Sequence, residues 1–250
     1  MPPVGDVLLL VLVGGIAGFV NVLAGGGSLL TLPVLIFLGL PAATANGTNR
    51  VGIFFQNIFA INGFRRRGVF PVKLALLCAP PALLGSYIGA TLAVDIDDAL
   101  FKKLLGFIMI GVMIITVVDP VRRFNLKSDS PLTPFRTILL ILIFFLIGIY
   151  GGFVQAGVGF LIISGLLLYG LDLVRINALK VIVIFAFTLV ALGVFIVHGQ
   201  IDYGLGLALA AGNSTGGWVA MHLAVKKGHD WIRRIVFVTV IVFALRLLFG

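Results

Sequence analysis

The sequence lacks glutamate, and charged residues of either sign make up only 11% of its 250 residues. Soluble domains carry about 25% charged residues, so the composition excludes an ordinary soluble globular protein. The chain is 60% hydrophobic and its mean hydropathy is +1.21. Such values are typical of a protein with several membrane-spanning helices, because only helices and closed barrels satisfy the backbone within lipid.

Acidic side chains are missing from the apolar runs. All nine are Asp, and they lie in loops or at the ends of runs: Asp6, Asp95, Asp97, Asp98, Asp119, Asp129, Asp172, Asp202 and Asp230. A carrier driven by protons or sodium usually holds a carboxylate inside the membrane, so we expect any coupled proton to travel on the substrate.

Sequence motifs of an enzyme are missing as well. We find no carboxylate pair, HExxH motif, cluster of metal ligands or Ser-His-Asp grouping within the spans, and no nucleotide-binding loop of the Walker type. We therefore expect no catalytic residue, no metal and no cofactor. The single cysteine, Cys78, cannot form a disulfide within the chain and is expected to be inert packing.

Positive charge is in excess, with eighteen Lys and Arg and a net charge of +9. No basic soluble module of the kind that binds nucleic acid is visible. We expect the cations in cytoplasmic loops and, in part, facing an anionic substrate. The N-terminus has no basic segment, so we expect it to lead into the first span and not to be a cleaved signal peptide.

Eight apolar runs are long enough to cross about 30 Å of hydrocarbon, which takes about 20 helical residues. They cover approximately 6–22, 43–63, 71–93, 100–118, 137–154, 174–197, 203–223 and 232–249. Two shorter runs, 28–40 and 159–170, are half-helices, re-entrant arms or short tilted crossings. The sequence thus predicts an all-α, polytopic integral membrane protein with about eight full transmembrane helices and two short broken helices.

An internal repeat divides this single membrane domain, 1–250, at the loop 119–136. Gly18-Phe-Val-Asn21 recurs as Gly152-Phe-Val-Gln155, and an offset of 131 residues pairs Asn46 with Asn177. Repeat 1 covers about 6–118 and repeat 2 about 137–249. The positive-inside rule favours inverted repeats with extracytoplasmic termini over a parallel arrangement, because the latter would place the basic loop 224–234 outside. Paired broken helices are a recurring plan of transporters.

Glycine-rich breaks precede both short runs. In repeat 1, Asn21 is followed by Gly25-Gly26-Gly27, and Ser28 is suited to be the N-cap of a short helix. In repeat 2, Gln155, Gly157 and Gly159 form the matching break. A helix N-terminus inside the membrane offers N–H donors and partial positive charge, which suits an anion. The alternative is close helix packing by small residues.

A polar cluster follows the first break and contains Asn46, Thr48, Asn49 and Arg50. A buried Arg costs a few kcal/mol or more unless it is paired or hydrated, and no acid lies within positions 40–60. Arg50 either snorkels to the interface or has the ligand as its partner. In repeat 2, Asn177 and Lys180 place a cation at nearly the same depth. Gln56, Asn57 and Asn213 are further polar groups within spans.

Several of these motifs resemble the sulfite exporter TauE/SafE family. The N-terminal signature is carried by Gly15-Ile-Ala-Gly18, Ala24-Gly-Gly-Gly27-Ser28, Leu32-Pro33 and Ala45-Asn46-Gly47-Thr48-Asn49. Gly157-Val-Gly159, Asn177-Ala-Leu-Lys180 and His198-Gly199-Gln200-Ile201-Asp202 resemble its second half. The resemblance covers essentially the whole chain. It implies a secondary transporter of the plasma or inner membrane that moves small sulfur-containing anions such as sulfite, sulfonates or sulfoacetate.

These observations predict a multi-pass carrier of the bacterial or archaeal inner membrane that works by alternating access. Its partners are a small sulfur-containing anion and the lipid bilayer, and protons as coupling ion and a homo-oligomer are both compatible with it. The alternative is a passive anion channel with the same donors, which saturation and counterflow would distinguish. A membrane enzyme or a structural subunit is the third hypothesis.

Overall fold

A computed structural model describes residues 2–23, 25–118, 133–167, 173–223 and 243–249, and within these ranges the regular secondary structure is helical. The all-α prediction is therefore confirmed. The helices are α1 (Val4–Leu23), α2 (Ser28–Phe37), α3 (Ala42–Arg66), α4 (Val72–Val94), α5 (Asp98–Val118), α6 (Pro134–Phe153), α7 (Val158–Leu167), α8 (Leu173–Val197) and α9 (Tyr203–Leu223). Residues 243–249 are also helical.

Helix lengths follow the same sequence in both halves. Helices α1 to α4 contain 20, 10, 25 and 23 residues, and α6 to α9 contain 20, 10, 25 and 21. Each of α6 to α9 starts 130 or 131 residues after its counterpart in the first half. For example, α1 starts at Val4 and α6 at Pro134, and α4 starts at Val72 and α9 at Tyr203. The two short runs form the ten-residue helices α2 and α7, each about 15 Å long.

Four described helices are long and apolar enough to cross a membrane: α1, α4, α6 and the part of α8 from Val174 to Val197. They match four of the eight predicted spans. The runs 43–63, 100–118 and 203–223 form α3, α5 and α9, which are not among these four, and α3 is interrupted by many polar residues. The run 232–249 lies mostly outside the described residues. The count of eight spans therefore stays a prediction.

The first and second halves pack mainly against each other. Helix α1 lies along α9, α4 lies along α6, and α3 and α4 both contact α8. Small residues allow this close packing, since a Cβ at Gly18 would overlap the backbone of Asn213 and one at Gly152 the backbone of Ser86. The bundle centre is therefore built from both halves.

The N-terminus of α3 is capped by a side chain from another helix. The Ala42 N–H donates to the Asp98 carboxylate at the start of α5, and the other Asp98 oxygen lies 2.6 Å from Lys102 Nζ. Partial burial would raise the pKa of Asp98, but these two partners outweigh it, so the pKa lies below its ordinary value. Asp98 thus fixes where α3 begins.

Candidate functional site at two helix breaks

The first break lies between α1 and α2, and Gly25 adopts a φ of +86° there, which glycine tolerates best. The prediction that Ser28 is an N-cap is wrong: Ser28 is the first residue of α2, and Gly27 precedes it in helical conformation without a side-chain cap. The reason is local. The carbonyls of Gly26 and Gly27 accept hydrogen bonds from Leu29 N at 3.1 Å and Leu30 N at 3.0 Å, which completes the first turn.

The second break lies between α6 and α7 and contains two residues with positive φ, Gln155 at +59° and Gly157 at +73°. A residue other than glycine pays about 1–3 kcal/mol for such a conformation. Gln155 is held in it by its Nε2, which donates to Thr188 Oγ1 at 2.6 Å. Gln155 lies three positions before Val158, and Gly25 lies three positions before Ser28, so Gln155 corresponds to Gly25. The sequence match of Gln155 with Asn21 is not reproduced, since Asn21 lies within α1.

The two breaks are in direct contact. A Cβ at Gly25 would lie 2.5 Å from Gly159 Cα, and a Cβ at Gly26 would lie 2.5 Å from the Phe160 ring. A Cβ at Gly27 would overlap Ala17 of α1. The glycines are therefore needed for close packing, as the alternative interpretation held, and this packing also brings the interrupted ends of α1 and α6 together.

Arg50 of α3 is fully buried between the two halves, so the snorkelling alternative does not hold for it. Its Nη1 donates to the Gly151 carbonyl at 3.0 Å and to Gln155 Oε1 at 3.4 Å. Its Nη2 donates to the Gly152 carbonyl and, at 3.3 Å, to Asn46 Oδ1. Gly151 and Gly152 belong to the last turn of α6. The guanidinium of the first half therefore caps the negative end of a helix of the second half.

Lys180 of α8, in the second half, caps the C-terminal end of α1, in the first half, as Arg50 caps that of α6. Its Nζ donates to the carbonyls of Asn21 and Val22 at 3.2 Å each and to Asn177 Oδ1 at 2.8 Å. Asn21 and Val22 lie in the last turn of α1. We call these two caps the crossed braces: Arg50 on the C-terminal carbonyls of α6, and Lys180 on those of α1. Each half thus holds the interrupted helix of the other.

The crossed braces leave positive charge at the bundle centre. The hydrogen bonds that Arg50 and Lys180 make with described residues all go to neutral oxygens, and the Phe195 ring lies 4.9 Å from Arg50 Cζ. Arg50 Nε and Asn49 Nδ2 are buried without a hydrogen-bond partner. Within the described ranges, no group of three or more Cys, His or Asp side chains could hold a metal ion. The centre therefore offers cations and spare N–H donors.

The remaining predicted residues divide between the braces and other contacts. Asn46 Nδ2 donates to the Phe153 carbonyl at 2.7 Å beside Arg50, and Asn49 Oδ1 accepts from Thr31 Oγ1 at 2.6 Å. Thr48 points elsewhere, because its Oγ1 accepts from Asp202 N at 2.9 Å.

Sequence reasoning missed several contributors, which are Thr31, Thr188 and Phe195. Of these, Thr188 could have been found from the sequence, since it lies 131 residues after the polar residue Asn57 and so matches the offset between the halves.

A bundle of apolar helices, with two interrupted helices and buried cations at the breaks, defines a multi-pass integral membrane protein. Residues 10–247 match the family model described as sulfite exporter TauE/SafE, so the chain belongs to this family and the resemblance is confirmed. The protein is thereby a member of a membrane transporter family.

Relatives from several bacteria support this membership. The chain is 30% identical to the "Probable membrane transporter protein ORF9" of Sinorhizobium sp. over 93% of this chain and 88% of the relative. It is 28% identical to a "Probable membrane transporter protein" of Haemophilus influenzae, over 91% and 89% of the two chains. It is 25% identical to "Probable membrane transporter protein YfcA" of Escherichia coli K12, over 96% and 89%. No solved structure gives a significant match.

Proposed function

We propose that the protein is a secondary transporter of small sulfur-containing anions, such as sulfite, sulfonates or sulfoacetate, which bind beside the crossed braces. The observation that carries the proposal is the pair of buried cations, Arg50 and Lys180, whose partners are all neutral. Carbonyl dipoles offset a full positive charge only in part, and charges buried in membrane proteins mark substrate pathways. An anion between the two halves would complete the neutralisation.

Unpartnered donors support an oxyanion as the ligand. Arg50 Nε and Asn49 Nδ2 belong to adjacent residues of α3 and have no partner. An unmade buried hydrogen bond costs about 1–3 kcal/mol, and a ligand with several acceptor oxygens would recover this loss.

Sulfur as the central atom is inferred from the family, whose description names sulfite. Sulfite and sulfonate groups spread their negative charge over three oxygens, and charge-assisted hydrogen bonds to such oxygens are about twice as strong as neutral ones. Arg50 Nε and Asn49 Nδ2 are the donors without a partner that could reach such oxygens, Lys180 adds positive charge, and Asn46 and Asn177 hold the two cations in place. Protons would accompany the substrate.

Alternating access by two inverted repeats is part of the proposal. The equal lengths of α1 and α6 and of α2 and α7, together with the crossed braces, support a two-fold relation between the halves. A binding position at paired broken helices between repeats is the arrangement that many secondary transporters use. A shift of one interrupted helix against the other would open the centre to either side.

The test is uptake of labelled sulfite into proteoliposomes, with and without a pH gradient. Unlabelled sulfonates, sulfate and carboxylates serve as competitors. We expect saturable uptake and counterflow, inhibited by sulfur oxyanions more than by carboxylates. Linear, unsaturable flux without counterflow would favour the channel instead. No uptake under any gradient would overturn the proposed function.

A further inference from the structure

Helix α3 has one continuous polar face that extends well beyond the crossed braces. The residues on this face are Asn46, Asn49, Arg50, Gln56 and Asn57, and none is more than 2% exposed. Their spacings of three, four and seven place them on one side of a helix. The other side carries exposed apolar residues such as Ile58 and Phe59. A polar stripe buried along a helix of a membrane protein requires an explanation.

Unpartnered donors are concentrated on this face. Among buried side-chain atoms without a hydrogen-bond partner are Asn49 Nδ2, Arg50 Nε and Asn57 Nδ2, and all three are N–H groups. The first two belong to the centre already described. Asn57 lies seven residues further along α3, about 10 Å from Arg50 at 1.5 Å per residue. It is therefore a separate position with a buried donor that has no partner among the residues that the structure describes.

The corresponding position of the second half is contacted by a side chain of the second break. Asn57 is the sixteenth residue of α3, and Thr188 is the sixteenth residue of α8. Thr188 Oγ1 is bonded by Gln155 Nε2 at 2.6 Å. The residue of the first break that corresponds to Gln155 is Gly25, which has no side chain. The side chain that contacts this position in the second half is therefore absent from the first, and the Asn57 Nδ2 donor has no acceptor among the described residues.

We propose that Asn57 is a second anion-contact position, on a route along α3 that leads from the Arg50 centre to the basic end of the helix. Arg65, Arg66 and Arg67 are exposed at that end, about 12 Å from Asn57 at 1.5 Å per residue. Clustered cations at a mouth raise the local concentration of anions. This inference rests on the proposed function and adds where the anion passes.

The test uses single cysteines in the Cys78→Ala background, which removes the protein's only native thiol. Asn57→Cys is treated in proteoliposomes with methanethiosulfonate reagents, one bearing a sulfonate and one a quaternary ammonium. We expect the anionic reagent to react about tenfold faster, and methanesulfonate to protect the thiol, because this buried position favours anions. Asn62→Cys, exposed on the same helix, is the control and should show no protection.

Equal rates with both reagents, or no reaction from either side, would overturn the route, as would a lack of protection in a protein that takes up sulfonate. Failure of the proposed function looks different. If the wild-type protein takes up no sulfonate but Asn57→Cys keeps its preference for the anionic reagent, the substrate is wrong and the route stands. If uptake is normal and the preference is absent, the route is wrong and the transport stands.

A second variant does not require reaction at a buried thiol. Asn57→Asp is nearly isosteric and puts a negative charge on the route, so we expect the KM for sulfonate uptake to rise about tenfold, the size of one lost hydrogen bond to a charged group. Asn62→Asp is the matched control and should leave the KM unchanged. Equal KM values in the two variants would contradict the inference.

Discussion

Replacing Arg50 with Met tests the brace on α6. Met fills a similar volume but donates no hydrogen bond, so four acceptors lose a donor: the carbonyls of Gly151 and Gly152, Gln155 Oε1 and Asn46 Oδ1. Two of them end α6, and Gln155, which adopts a positive φ, keeps only its contact with Thr188. We therefore expect α6 and the second break to loosen together.

The magnitude follows from these contacts. Hydrogen bonds to a charged group contribute about 1.5–3 kcal/mol each, and a cation at a helix C-terminus up to about 2 kcal/mol. The desolvation of Arg50 opposes them, and removing the residue recovers that cost. We expect a net loss of about 3 kcal/mol in the free energy of unfolding. For a chain of this size that corresponds to a decrease in Tm of roughly 6–12 °C.

The assay is thermal unfolding of the purified protein in detergent, followed by the helical circular dichroism signal. Arg50→Lys should fall between the wild type and Arg50→Met, because it keeps the charge but not the two-pronged geometry. Arg66→Met, an exposed change on the same helix, is the control. If Arg50→Met unfolds at the same temperature as this control, Arg50 does not brace α6.

Three further predictions concern other contacts. Lys180→Met should lower Tm by a similar amount, measured in the same assay, because Lys180 holds α1 as Arg50 holds α6. Gly159→Ala should reduce both stability and uptake since its Cβ would overlap Gly25, whereas Gly193→Ala, with open space around it, should be neutral or stabilising. Asp98→Asn should destabilise at pH 7. Because the folded pKa of Asp98 is lowered, its contribution is present above the unfolded pKa of about 4 and disappears as pH falls through the folded value. Unfolding curves of both proteins from pH 7 to pH 3 check this.

Composition and periodicity were sufficient for the helical class and for the two short helices. Runs of about twelve apolar residues next to glycines predicted the breaks that α2 and α7 follow. The depth of Arg50 was also predictable, since apolar residues follow it along α3. These features are local, so residue types and their spacings were enough to predict them.

The crossed braces could not be predicted, because they join side chains to backbone carbonyls. Every residue has a carbonyl, so the sequence does not show that the carbonyls of Gly151 and Asn21 accept hydrogen bonds from Arg50 and Lys180. The sequence match between the halves was also misleading locally. The similar segments Gly18-Phe-Val-Asn21 and Gly152-Phe-Val-Gln155 paired Asn21 with Gln155, whereas the helix bounds pair Gly25 with Gln155. Ser28 has the chemistry of an N-cap, but the flexible glycines before it close the turn with their own carbonyls.

The central claim is that a sulfur oxyanion binds beside Arg50 and Lys180. The most direct measurement is the Tm of the purified wild-type protein and of Arg50→Met over a concentration series of sulfite and of methanesulfonate. A ligand at a hundred times its Kd stabilises by about 2.7 kcal/mol, or roughly 5–10 °C here. The account predicts this increase in the wild type and its loss in Arg50→Met. No increase with any sulfur anion, or an equal increase in both proteins, would contradict it.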